Sequence, residues 1–77
     1  MARVILDDVA DTTSVDFEVS DKGATVWVTA GTADLKLDGD VIVSLVEGTP
    51  QVIDGNVAGE TLTLLATSAN TTAKVSG

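Results

Sequence analysis

From Val15 to Val19 apolar and polar residues alternate strictly, with Val15, Phe17 and Val19 on one parity and Asp16 and Glu18 on the other. A period of two places these sets on opposite faces of an extended chain, the pattern of a half-buried antiparallel strand. Ala24 to Thr29 repeats it, with Ala24, Val26 and Val28 against Thr25, Trp27 and Thr29. Thr61 to Ala66 repeats it again, with Leu62 and Leu64 against Thr61, Thr63 and Leu65. Shorter stretches at Ala2 to Leu6, Gln51 to Ile53 and Ala73 to Ser76 predict further strands. Leu35 to Val46 is built differently. Leu35 and Leu37 alternate with polar neighbours, Asp38-Gly39-Asp40 follows, and Val41-Ile42-Val43-Ser44-Leu45-Val46 is apolar on both parities. Asp-Gly between two apolar runs signals a tight β-hairpin. A strand apolar on both faces is expected to be covered on both, centrally in a sandwich or at a subunit contact. The other strands are read as laid around this hairpin.

Turn residues separate the runs. Ser20-Asp21-Lys22-Gly23 predicts a type I turn. At Glu47-Gly48-Thr49-Pro50 the chain leaves its sheet, because Pro50 has no N–H for a central ladder. Asp54-Gly55-Asn56 is a second Asp-Gly turn, while Asp7 to Ser14, Ala30 to Asp34 and Thr67 to Thr72 read as loops. No segment carries a helical period. The predicted fold is all-β, a small antiparallel β-sandwich or barrel of seven to eight short strands, Ig-like or jelly-roll-like. Residues 1–77 form one domain in this reading. Residues 1–8 are either its first strand, with Val4 and Leu6 on one face and Arg3 and Ile5 on the other, or an extended N-terminal arm.

Composition sharpens the picture. At 77 residues the chain is near the lower limit for folding alone, and with no cysteine it has no disulfide brace. Its apolar fraction of 44% excludes a disordered chain, yet Phe17 and Trp27 are the only aromatics. A small domain without staples is commonly stabilised by a partner surface. The formal charge is −8, and Arg3, Lys22, Lys36 and Lys74 are scattered along the chain. That argues against nucleic acid and anionic membranes, which require clustered bases. The opening Met1-Ala2-Arg3-Val4-Ile5-Leu6-Asp7-Asp8 has three large apolar residues before two acids, too few for a secretion signal. It predicts a chain begun at Met1 and made in the cytosol.

Candidate chemistry is sparse. Without histidine or cysteine, catalysis would need Ser or Thr with Lys, or a carboxylate pair. Asp38 and Asp40 flank one turn and Asp54 and Asn56 another, where carboxylates are ordinarily solvated turn residues. No catalytic residue and no cofactor is predicted, and enzyme is the least favoured class. The same four side chains would suit calcium if both turns lay at one end of the molecule, although no EF-hand loop is present. Apolar surface is the stronger signal. Ile42, Val46 and Leu65 lie on the parity opposite their inward neighbours, and with Val4, Ile5 and Leu6 they exceed what one buried face requires. Trp27 points away from the valines of its own strand. It either covers the sandwich or anchors a protein interface.

The cysteine-free, Thr/Val/Ala/Gly-rich stretches Ala24-Thr25-Val26-Trp27-Val28-Thr29-Ala30-Gly31 and Leu62 to Thr72 resemble the small structural proteins of tailed bacteriophages. Head decoration (cement) proteins and small head-fibre domains are the nearest kinds. The resemblance lies in overall character across nearly the whole chain. It implies synthesis in the host cytoplasm and a place in the virion, bound to the outside of the assembled capsid. The implied partner is the major capsid protein or another virion protein, with homo-oligomers, favourably trimers, at symmetry axes. The competing expectation is a carbohydrate- or cell-surface-binding β-sandwich, for which Trp27 is the serious candidate contact.

Overall fold

Asp38 and Gly39 both adopt positive φ, 53° and 86°, in the computed structural model, which describes residues 2–57 and 59–76. Positive φ at both central residues is the type I′ turn, whose twist matches that of the strands it joins. It closes β4 (Thr32–Leu37) onto β5 (Asp40–Val46), with Leu37 opposite Asp40. From this hairpin the chain runs back as a double ribbon. β3 (Ala24–Ala30) pairs with β6 (Gln51–Ile53), β2 (Ser14–Glu18) with β7 (Thr61–Ala66), and β1 (Ala2–Val9) with β8 (Thr71–Ser76), all antiparallel. The ribbon winds over itself into two four-stranded sheets, in the orders β1-β8-β3-β6 and β2-β7-β4-β5. Eight strands rolled in this way form a jelly-roll sandwich.

The inward faces follow the alternation in the sequence. Val26, Val28, Ala73 and Val75 from the first sheet meet Ala33, Leu35, Leu45, Leu62 and Leu64 from the second, with Phe17 beside them. Each fully buried Leu or Val contributes about 1.5–3 kcal/mol through removal of apolar surface from water. Among the described residues no buried side-chain N or O lacks a hydrogen-bond partner. At one end a polar staple ties two connections together. The fully buried Thr71 hydroxyl lies 2.8 Å from the Ser68 carbonyl and 3.2 Å from that of Thr32. The Thr32 N–H donates to the Ser68 hydroxyl at 3.1 Å. Gly31, at φ 77°, makes the corner between β3 and β4 against Thr71, where a Cβ would overlap the Thr71 side chain.

Several expectations are corrected. β5 is not central: it forms an edge of its sheet. The hairpin is the middle of the connectivity and the margin of the structure, because the wound ribbon leaves its own tip at the side. Asp7 and Asp8, expected in a loop, belong to β1. Pairing with β8 continues past two register shifts, with Asp8 at φ 50° and its N–H donating to the Thr72 hydroxyl. The first shift falls between Val4, opposite Lys74, and Leu6, opposite Ala73. It breaks the period of two, so Val4 and Leu6 do not share a face: Val4 is exposed and Leu6 is buried. The expected loops at Ala30 to Asp34 and Thr67 to Thr72 shrink to Gly31 and to residues 67–70. Small or polar Ala33 and Thr71 are buried strand residues there. Val57 to Glu60, read from the sequence as one lead-in, includes Ala58, which lies outside the described residues; Gly55–Val57 is a 3₁₀ turn.

Candidate functional site

The two sheets leave the sandwich with two lateral margins. On one, β1 and β2 flank an open groove of about 690 Å³ lined by Arg3, Ile5, Val15, Phe17, Glu18 and Thr61 among others. On the other, β5 and β6 flank a smaller crevice of about 170 Å³ lined by Leu35, Ile42, Val43, Val52, Ile53 and Asp54 among others. At the far end of that margin β5 turns across to the first sheet. Glu47 bridges Val28, and the Gly48 N–H donates to the Val28 carbonyl at 3.2 Å.

The residues singled out from the sequence fall into three places. Leu6, 2% exposed, belongs to the core and is not available to a partner, since the β1 register shift turns it inward. Ile5 is half-buried against the same core. Val4 and Trp27 lie on the outer face of the first sheet, joined through Lys74, which stands opposite both. Trp27 is half-buried there, its parity as expected. Leu65 is half-buried on the outer face of the second sheet, between Ser14 and Asp34. Ile42 and Val46 are on β5, 54% and 51% exposed.

The structure therefore does not gather these residues into one patch, and it adds two that sequence reading passed over. Val41 on β5 is 52% exposed and Val52 on β6 is 71% exposed. Among the described residues the exposed large hydrophobics are Val4, Val41, Ile42, Val46 and Val52. All except Val4 lie on β5 and β6, the edge strands of the two sheets at one margin. Val41 belongs to the both-parity apolar run, so a signal for it existed. Val52 had only its alternation against Ile53.

The turn carboxylates come to a common end of the sandwich. Leu37 before the first Asp-Gly turn pairs with Leu62, and Ile53 before the second pairs with Ala24, while Phe17, ahead of the β2–β3 turn, pairs with Leu62 as well. Asp54 there accepts the Asn56 N–H at 2.9 Å, an Asx turn within its own loop. Among the described residues no group of three or more acidic side chains is arranged to hold a metal ion. Phe17 is buried, which leaves Trp27 the one aromatic reaching a surface. No family model, curated protein or solved structure matches this chain.

Proposed function

We propose that this chain is a non-enzymatic structural protein that docks on other protein, as a component bound to the outside of an assembled viral shell that it stabilises. One observation carries the reading: the exposed apolar side chains are concentrated on the β5–β6 margin. Single exposed hydrophobics need no explanation, but four of the five exposed large hydrophobics among the described residues lie on two neighbouring edge strands, a concentration in keeping with a protein-contact surface. A shell repeats such a contact many times, so weak docking accumulates as avidity, more so when the chain itself binds as a trimer. The competing sugar-binding reading rests on Trp27 alone, half-buried between Thr25 and Thr29 along its strand.

Mass spectrometry of density-purified particles from the source tests the proposal. The expected result is this chain in fixed proportion to the major shell protein, with added chain raising the melting temperature of stripped shells. Particles that lack the chain, or shells whose heat stability it leaves unchanged, overturn the reading.

A further inference from the structure

A jelly roll has four edges, and three of these are blunted. β1 is broken by register shifts and carries Asp7 and Asp8. β2 presents Asp16 and Glu18 outward, and β6 spans three residues. Shortness, charge and irregularity are the usual means by which edges resist further pairing. β5 has little of this protection. β4 covers one side of it, from Val46 opposite Thr32 to Asp40 opposite Leu37, and no described strand pairs with the other side before the C-terminal end, where the Val46 carbonyl accepts the Thr49 N–H and Glu47 bridges Val28 of β3. Its one irregularity is the extra residue Ile42 between the Val41 and Val43 pairings. Val43 to Val46 continues regularly, and no charge occurs between Asp40 and Glu47.

We propose that β5 accepts a β-strand from another protein, an apolar strand with Lys or Arg at its ends that extends the second sheet. This rests on the protein-docking reading above. The open N–H and C=O groups of β5 supply main-chain bonding, and Val41, Ile42 and Val46 supply apolar contacts. Charge selects the partner. Asp40 and Glu47 bracket the strand, both exposed, and Asp38 and Asp54 lie beyond it at the same end as Asp40. Lys36, opposite Val41 on β4, is the base in the neighbouring strand. A second copy is a poor occupant. Laid antiparallel in the register that sets Asp40 opposite Glu47, two β5 strands bring these acids together twice, on chains each of formal charge −8. A basic-ended strand turns those repulsions into attractions.

Two peptides of alternating valine and threonine test this, one ending in lysine at both termini and one in glutamate. Amide exchange and binding are measured by NMR on the whole chain. The lysine-ended peptide is expected to slow exchange within Asp40–Val46 and to bind about tenfold or more tightly than the other, the difference shrinking as salt is added. Combined Val41→Lys and Val46→Lys, both at exposed positions, is expected to abolish that protection while the far-UV circular dichroism stays unchanged. Equal binding of the two peptides overturns the proposal. So does an absence of protection, protection confined to β1, β2 or β6, or self-association of the free chain through β5. Particle binding separates the two readings. A chain found on particles whose double variant still binds them sinks the β5 proposal alone, whereas a chain absent from particles that still takes the basic peptide sinks only the shell reading.

Discussion

Val4 and Leu6 are two positions apart, chemically similar, and different in fate. The register shift between them makes one a surface residue and the other part of the core. Leu6→Ala is expected to destabilise the protein by about 2–4 kcal/mol, because it removes buried methyl groups and leaves a cavity. Val4→Ala is expected to change stability by less than about 0.5 kcal/mol. Urea unfolding of the two variants measures both, and equal losses would mean that β1 keeps its period of two. Gly31 shows the opposite situation, a residue fixed by backbone geometry rather than by burial of a side chain. Gly31→Ala combines a positive φ with overlap on Thr71, whose hydroxyl belongs to the buried staple. It is expected to lower stability by about 2 kcal/mol or more, read by the same titration.

At the scale of elements, the strands follow from alternation and the turns from Asp-Gly. β3, β6 and β7 run close to where the pattern put them, and the 38–39 turn has the geometry its residues favour. The strands that were lengthened share one reason. Ala33, Asp8 and Thr71 look like loop residues, yet each is held by a partner strand remote in sequence: β1 reaches β8 across 64 positions at Asp8 and Thr72. Local propensity yields where a ladder and a buried position are on offer. Position in the sheet also sets local stability. Native-state hydrogen exchange is expected to be slowest in β3, β4, β7 and β8, each flanked by two strands, and faster on the open side of β5. Uniformly slow exchange along β5 in the free chain would mean that its edge is already occupied.

For the whole molecule, a Cα radius of gyration of 11.1 Å matches the roughly 11 Å of a compact chain of this length. A formal charge of −8 confined to that volume repels itself. Raising sodium chloride from about 0.01 to 0.2 M, which shortens the screening length from about 30 Å to under 10 Å, is expected to raise the melting temperature by a few degrees. A flat or falling curve would show that the acids are already compensated. The same charge bears on the docking proposed for β5, where it would oppose self-pairing and favour a basic partner.

Sequence alone determined the all-β class, the turn at 38–39, the inward parity of most strands and the surplus of apolar residues in Val41 to Val46. These are local properties: side-chain alternation, turn chemistry and composition are written within a few residues of one another. Only the tertiary structure decided that the hairpin lies at an edge, that Leu6 is core, and that Val52 joins Val41, Ile42 and Val46 on one margin. Strand order and register depend on pairing between residues far apart in the chain, and a single bulge reverses which face a side chain takes. A run that is apolar on both parities reports that two faces are to be covered. Where the winding of the ribbon leaves that strand decides how far this chain covers it, and here it leaves β5 at an edge, with β4 on one side.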